Sequence, residues 1–114
     1  MYALKNKVQL IGNLGQPPIT GTTEKGKQWA RFTLATHDSY RTASGEKVNE
    51  TYWHNIIAWG RLAEIAVRLL TTGSEVAIEG KLVYRSYTDK NGVLRQSTDV
   101  LVSEMLMLGA NTRA

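Results

Sequence analysis

The sequence predicts an all-β fold in which five strands form a small barrel, with one short helix between strands 3 and 4. Five segments alternate between apolar and polar residues, which is the two-residue period of a strand with one buried face. One further segment has apolar residues at the three- and four-residue spacing of a helix. A chain of 114 residues is long enough for a single domain with its own core.

The first two predicted strands cover residues 7–14 and 28–39. The first ends before the Pro17-Pro18 pair, because proline cannot donate a hydrogen bond to a neighbouring strand. A polar stretch with a turn candidate at Lys25-Gly26 separates the two strands. After the second strand, the polar span 41–47 has the length and composition of a protruding hairpin loop.

The third predicted strand covers residues 51–60 and carries two of the three tryptophans. Alternation places Trp53 and Trp59 on one face and His54 on the other. Large aromatic side chains on one strand face indicate a surface that stacks flat ligands, and core packing is an equally good explanation from this strand alone. A helix follows over residues 61–70. Its apolar stripe consists of Leu62, Ile65, Ala66 and Leu69.

The fourth and fifth predicted strands cover residues 74–87 and 94–108. The segment Asp89-Lys90-Asn91-Gly92 joins them as a hairpin, because Asn-Gly accepts positive φ at both central turn positions. On the fifth strand, one face would carry Val100, Val102, Leu106 and Leu108, and the other Leu101 and Met105. Both faces need cover, which a subunit interface would supply.

This order of strands and helix is that of the OB-fold, a partly open barrel whose face and loops bind oligonucleotides or oligosaccharides.

The composition narrows the range of possible functions further. Fourteen Lys and Arg against ten Asp and Glu leave a net charge of +4, which favours a polyanionic partner. The absence of cysteine excludes disulfides, thiolate metal sites and cysteine nucleophiles, and fits a reducing compartment. Without a signal peptide or an apolar run near the ~20 residues that span a bilayer, a cytoplasmic protein with no membrane contact is expected.

Aromatic and cationic side chains alternate where the predicted strands meet loops. Single-stranded nucleic acid requires this combination, because its unpaired bases stack on rings while Lys and Arg neutralise its phosphates. Every base has a π-face, so such a surface accepts any sequence. The aromatic residues are Tyr40, Trp53, Trp59 and Tyr87, and the interleaved cations are Arg41, Arg61 and Arg85. For Trp29, packing and ligand contact are equally good explanations.

The sequence predicts neither catalysis nor a cofactor. His37 and Asp38 are adjacent, so a strand points them to opposite faces, and no nucleophile stands beside them. The segment Gly12-Asn13-Leu14-Gly15 lacks the Gly-Lys-Ser/Thr ending of a phosphate-binding loop, which makes a strand bend or turn the better explanation. The acidic residues are scattered without metal-ligand spacing.

Sequence segments in the same order along nearly the whole chain resemble one family. They are Asn6-Lys7-Val8, Gly12-Asn13-Leu14-Gly15, Thr33-Leu34-Ala35-Thr36, Trp53-His54, Trp59-Gly60-Arg61-Leu62-Ala63-Glu64, Gly73-Ser74, Ile78-Glu79-Gly80, Tyr87-Thr88-Asp89 and Met107-Leu108-Gly109. On these segments the chain resembles the bacterial single-stranded DNA-binding proteins (SSBs). The resemblance implies an OB-fold protomer in a homotetramer that binds single-stranded DNA nonspecifically during replication, recombination and repair, in the cytoplasm at the nucleoid.

The resemblance also implies roles for individual residues. Stacking would fall on Tyr40, Trp53, Trp59 and Tyr87, with tyrosine at 40 and 87 where tryptophan is common. Phosphate contacts would fall on Lys7, Arg61 and Arg85, and His54 would lie at a subunit interface. Asn55, Thr72 and Val83 stand where basic residues are often found. The basic track is therefore expected to be sparser, or to include Lys81, Arg31 and Arg41.

We expect a DNA-binding domain over residues 1–109 and a short extension over residues 110–114 without an acidic tail. Family members usually continue into a flexible tail that recruits replication and repair enzymes, and no such partner can be inferred from these residues. Two alternatives remain open at this point. One is an OB-fold replication accessory protein of the primosome type, which would act through protein contacts. The other is a small nuclease, which would need clustered carboxylates for a metal.

Overall fold

The computed structural model describes residues 4–108, which form six strands and one helix. The strands are hydrogen-bonded in the order β1-β5-β6-β4-β3-β2, and β1 also pairs with β3. This last pairing closes five strands into a barrel and leaves β2 outside it, so the predicted five-stranded OB-fold barrel is confirmed. In chain order the elements are β1 Val8–Leu14, β2 Ile19–Thr22, β3 Gln28–Arg41, β4 Lys47–Trp59, α1 Arg61–Leu69, β5 Glu75–Thr88 and β6 Leu94–Leu108.

The barrel closes where β1 passes from one neighbour to the other. Its first part pairs with β5, and its last residues, Asn13 and Leu14, pair with β3. Gly12 lies at the crossing, where a Cβ would overlap the carbonyl oxygen of Ala35. The glycine therefore permits two backbones to approach closely, which agrees with the predicted strand bend.

The core fills the barrel and continues under the helix. Its largest fully buried side chains are Phe32, Leu34, Ile56 and Val76. On the helix, Ala63 and Ala66 are buried, and Leu70 is buried directly after it. The prediction that Leu69 belongs to the buried stripe is wrong, because Leu69 is 49% exposed. Small alanines on the contact side allow α1 to lie close to the barrel, which rotates the buried stripe by one residue.

Two strands extend further than predicted, and one strand forms where a polar loop is expected. Strand β3 continues to Arg41 and β4 begins at Lys47, so the expected 41–47 loop is reduced to a short turn at the end of a long hairpin. The unexpected strand is β2. It pairs with β3 from Ile19 opposite Arg31 to Thr22 opposite Gln28.

The predicted faces of the last strand are correct only in its first part. The β5–β6 pairing shifts between Glu79 and Gly80, where Ser103 on β6 has no partner in the register. This bulge reverses the alternation beyond it. Met105 and Met107 consequently pack against the core, whereas Leu106 is 63% exposed. The predictions that Leu106 and Leu108 share a face with Val100 and that Met105 points away from the core are therefore wrong.

The helix content of the described residues bears on the membrane question. Within residues 4–108 no helix has the length and apolarity needed to cross a membrane. The predicted domain boundary at 109 and the extension at 110–114 lie outside the described residues.

Replacing Gly12 with Ala tests the closure of the barrel. We expect Gly12→Ala to lower the free energy of unfolding by about 1–3 kcal/mol, because the added methyl group meets backbone that cannot move aside. Urea unfolding followed by circular dichroism at fixed protein concentration measures this change. Lys25→Ala, at an exposed position of the β2–β3 turn, should stay within about 0.5 kcal/mol. Equal stability of the two variants would contradict the assignment.

Candidate nucleic-acid interface

One continuous outer surface of the barrel carries most of the predicted binding residues. It begins on the antiparallel β3–β4 ladder, where directly opposed residues lie on the same side of the sheet. Trp29 is opposite Trp59, and Ala35 is opposite Trp53. Arg31 lies between these pairs on the same side. Three tryptophans and an arginine thus share the outside of two adjacent strands.

The same surface continues across β6 onto β5. Parallel pairing sets Asn55 opposite Asp99, and antiparallel pairing sets Asp99 opposite Val83. The two-residue alternation then places every second residue of β5 on this side. We call the whole surface the aromatic face. It comprises Trp29, Arg31, Trp53, Trp59, Lys81, Arg85 and Tyr87.

The Trp53 ring rests on a glycine on one side and is open on the other. A Cβ on Gly15 would lie 2.6 Å from Trp53 Cζ3, so the indole rests directly against the Gly15 backbone. Trp53 is nevertheless 60% exposed. An indole held on one side and open on the other is suited to stack a flat ligand.

Trp59 lies at the end of β4 and is half-buried. Lys27 reaches over it, with Nζ 4.9 Å from the ring centroid, a distance at which the π system attracts a cation. Gly60 follows with φ 61°, and its N–H donates to the Gln28 carbonyl at 2.8 Å. This turn starts α1, so that Arg61 is exposed two residues after Trp59.

Tyr87 and Arg85 occupy the β5 side of the aromatic face. The Arg85 guanidinium carbon is 5.4 Å from the Tyr87 ring centroid. Arg85 Nε is also 3.5 Å from Oδ2 of Asp99, and the Ser97 hydroxyl donates to Oδ1 of Asp99 at 2.8 Å. Asp99 is only 3% exposed. The buried carboxylate therefore orients Arg85 beside the tyrosine ring.

Lys81, at the end of the aromatic face next to the β5–β6 bulge, and the predicted cations outside that face lie around the aromatic residues. Lys7 and Lys81 line one shallow groove beside the β5–β6 bulge, and Lys7 Nζ is 3.6 Å from a carboxylate oxygen of Glu79. Arg41 is at the tip of the β3–β4 hairpin, where its guanidinium donates to the Gly45 carbonyl at 3.1 Å. The basic residues therefore form a border around the aromatic residues.

Tyr40 is the predicted stacking residue that the structure does not bring to the aromatic face. The register places it on the opposite side of the β3–β4 hairpin, together with Asp38, Glu50 and Tyr52. The Tyr52 hydroxyl donates to Glu50 at 2.8 Å, and this hydrogen bond raises the pKa of Tyr52. Tyr40 is thus separated from Trp53 by the thickness of the sheet and shares a side with two carboxylates.

The two histidines have partners within the chain. His54 Nε2 is 2.9 Å from the Thr36 hydroxyl, on the side opposite Trp53. His37 Nδ1 is 3.2 Å from the Thr51 hydroxyl. The part of the chain that the structure describes contains no group of three or more His, Cys, Asp or Glu residues that could hold a metal ion. The role of His54 at a subunit interface stays a prediction.

Two members of the site are not assigned to it by the sequence. Trp29 is undecided there between packing and ligand binding, and Lys27 is absent from the predicted cations. Trp29 and Arg31 are two residues apart on one strand, so alternation alone is a signal that places them on one face. No such signal exists for Lys27, because its position over Trp59 depends on the β2–β3 turn, and the sequence does not predict β2.

Removing Arg85 tests its pairing with the buried carboxylate. We expect Arg85→Ala to lower the free energy of unfolding by about 1–3 kcal/mol, because it leaves the Asp99 charge without its cation. Arg61→Ala, which removes an exposed arginine, should change it by no more than about 0.5 kcal/mol. Urea titrations of both variants at one protein concentration provide the comparison. A loss that is equal in the two variants would exclude a special role for the Asp99–Arg85 pair.

Comparison with known proteins identifies the family. The model of the Single-strand binding protein family matches residues 5–108. "Single-stranded DNA-binding protein 1" of Chlorobaculum tepidum is 43% identical over 106 residues, covering 92% of this chain and 65% of the relative. A single-stranded DNA-binding protein of Bacteroides thetaiotaomicron is 46% identical over 114 residues, covering 96% of this chain and 71% of the relative. The chain thus spans about two thirds of the length of these relatives.

Solved structures agree with the sequence relatives. A structure described as "Plasmodium falciparum SSB complex with ssDNA" superposes with a TM-score of 0.84 at 27% identity, covering 91% of this chain and 95% of that one. A deletion mutant of the single-stranded DNA binding protein from Thermus aquaticus superposes with a TM-score of 0.80 at 30% identity, covering 92% of this chain and 51% of that one. The resemblance inferred from the sequence is confirmed, and the chain belongs to the single-strand binding protein family.

Proposed function

We propose that the protein binds single-stranded DNA without sequence specificity and protects and organises it during replication, recombination and repair. The observation that carries the proposal is the aromatic face, on which indole and phenol rings, with Trp53 and Tyr87 exposed, lie beside cations along β3, β4 and β5. The relatives are named for single-stranded DNA binding, and one matched structure is described as an ssDNA complex. These names favour DNA binding over the accessory-protein and nuclease alternatives.

The arrangement favours a single strand over a duplex. A base can cover the open ring of Trp53 only if its own face is free, which requires that it be unstacked from its neighbours. The Trp53 ring, which rests on Gly15, can stack with any base, since all four have π-faces. The predicted contacts therefore provide affinity without base readout.

The cations supply the second part of the proposed interaction. Arg85 beside Tyr87 and Lys27 over Trp59 each place a positive charge within about 6 Å of a ring, the usual range of a cation–π contact. A base on the ring then brings its phosphate towards the neighbouring cation. Arg61, Lys81 and Lys7 extend the positive border, and binding is expected to weaken with salt because phosphate neutralisation releases counterions.

Tyr40 requires a separate route in this proposal. It lies on the reverse side of the β3–β4 hairpin, so a strand that stacks on Trp53 must pass around the hairpin edge to reach it. Arg41, at the tip of the same hairpin, offers a phosphate contact on that route. We retain Tyr40 as a proposed contact at the end of the path.

A second surface supports self-association. On the outside of β1, β5 and β6, Ile11 is 61% exposed and Leu106 is 63% exposed, and both line one shallow cavity with Ala77. We propose that another copy of the chain covers this surface, in keeping with the homotetramer that the family resemblance implies. The protein is proposed to act in the cytoplasm, associated with the nucleoid, and to need no cofactor.

The stacking role of Trp53 is testable by substitution. We expect Trp53→Ala to weaken oligo(dT) binding by about 1–3 kcal/mol, which is the general range for base–aromatic stacking in single-strand-binding OB-folds, the class to which this chain belongs. Tyr84→Ala is the matched control, since Tyr84 is exposed on the other side of β5. Fluorescence anisotropy of a labelled oligonucleotide, with the matching duplex as competitor, measures both. Equal affinity of the two variants would remove the stacking claim.

Self-association is testable in the same way. We expect Ile11→Glu to reduce the molar mass in solution, because a charge on the proposed contact surface cannot be buried without a partner. Light scattering coupled to size-exclusion chromatography measures the mass. Ile19→Glu, an exposed isoleucine on β2, should keep the mass of the unchanged protein. An unchanged mass for Ile11→Glu would place the interface elsewhere.

A further inference from the structure

Trp29 occupies a position on the aromatic face equivalent to a stacking residue, although neither the aromatic pattern nor the family resemblance assigns it a role. It lies directly opposite Trp59 in the β3–β4 ladder. Directly opposed side chains have Cβ atoms about 4.5–5.5 Å apart, so the two indoles are neighbours on the outside of the barrel. The aromatic surface therefore extends beyond Trp59 towards β2.

The support beneath Trp29 is the same as that beneath Trp53. A Cβ on Gly21 of β2 would lie 2.5 Å from Trp29 Cζ2, just as one on Gly15 would lie 2.6 Å from Trp53 Cζ3. In both places an indole rests on a glycine backbone of a neighbouring segment. A core tryptophan would instead be enclosed by side chains, and Trp29 is only half-buried, like Trp59.

Arg31 provides a cation beside the Trp29 ring. Its guanidinium carbon is 5.6 Å from the Trp29 ring centroid. Its neighbours across the sheet are Ile19 and Ile57, both apolar. Among the described residues, Arg31 has no ion pair of the kind that Arg85 makes with Asp99.

The Nε atom of Arg31 adds an independent observation. It is buried and has no hydrogen-bond partner within the part of the chain that the structure describes. A buried donor without an acceptor is rare and unfavourable. Because the atom has almost no exposed surface, it gains an acceptor only when the side chain moves outward, and a phosphate oxygen or a base carbonyl would then supply one; a guanidinium is well suited to bind phosphate.

From these observations we propose that Trp29, Arg31 and Lys27 form a further nucleotide-binding subsite on the β2–β3 hairpin. The base of one nucleotide stacks on the Trp29–Arg31 pair, and its phosphate accepts hydrogen bonds from Arg31 and Lys27. The inference rests on the proposed single-stranded DNA binding and extends the path of the strand past Trp59. It gives β2, which lies outside the closed barrel, a role in presenting Gly21 beneath the ring.

A single-tryptophan protein tests the position of the base. The chain has three tryptophans, so the double variant Trp53→Phe, Trp59→Phe leaves Trp29 as the only indole while keeping aromatic rings on β4. Anisotropy of a labelled oligo(dT) reports binding independently of the protein's emission. We expect Trp29 fluorescence to be quenched as the oligonucleotide saturates the protein. Saturation by anisotropy with unchanged Trp29 emission would overturn the subsite.

A charge variant tests the phosphate contact without altering the tryptophans. Arg31→Met keeps an apolar stem but removes the guanidinium, and Arg68→Met removes one from the exposed side of α1. In plots of log K against log salt, Arg31→Met should reduce the slope by roughly 0.7, the value for one phosphate on a single strand. Arg68→Met should leave the slope of the unchanged protein. Identical slopes for both variants would overturn the Arg31 contact.

The two tests separate this inference from the function on which it rests. If the unchanged protein fails to bind oligo(dT), the proposed function is contradicted and the subsite with it. Suppose that the unchanged protein binds oligo(dT) and that Trp53→Ala weakens this binding. If Trp29 emission then stays the same on binding and Arg31→Met leaves the salt slope unaltered, the subsite alone is overturned. Circular dichroism spectra of the variants confirm that each comparison is made on folded protein.

Discussion

The register of the β3–β4 ladder sets both the inside and the outside of the barrel. It runs without a shift from Trp29 opposite Trp59 to Arg41 opposite Lys47. Because side chains alternate with a period of two, one register fixes both the core, with Phe32 and Ile56 inside, and the outer aromatic residues. A slip by one residue would bury the indoles and expose the core. The proposed binding surface and the stability of the barrel are therefore specified by the same pairing.

Four glycines around this barrel permit close contacts that a larger side chain would block. Gly12 allows β1 to cross from β5 to β3, and Gly80 permits a comparable approach at the bulge, where a Cβ would overlap the Leu101 carbonyl oxygen. Gly15 and Gly21 instead provide room beneath Trp53 and Trp29. The first pair lets neighbouring strands of the barrel approach closely, and the second supports rings on its outside. Close contact with a glycine backbone therefore serves the fold in the first pair and the proposed site in the second.

Along the β3–β4 ladder, positive and negative side chains lie on different sides of the sheet. The buried carboxylate of Asp99 orients Arg85 towards Tyr87, whereas the opposed pair of Asp38 and Glu50 makes the reverse side of the hairpin acidic. Like charges directly opposite each other are unfavourable in a sheet, and the hydrogen bond from Tyr52 to Glu50 offsets part of that cost. The two sides of one hairpin consequently differ in charge, in keeping with the proposed binding of DNA on the aromatic side.

Local periodicity is enough to predict the five barrel strands, the single helix, the OB-fold and the placement of Trp53 and Trp59 on one face, because each of these depends on residues that are close in the chain. Features that depend on contacts between distant segments could not be predicted in this way. The bulge opposite Ser103 reverses the faces of β6, β2 forms in a stretch without alternation, and packing against the barrel selects the stripe of α1 that is buried. Tyr40 lies behind the hairpin because pairing with β4 carries β3 without interruption to Arg41, past the predicted end of the strand at residue 39. The surroundings of Trp29 also depend on distant contacts: only the β3–β4 ladder and the β2–β3 turn bring Trp59, Gly21 and Lys27 together beside it.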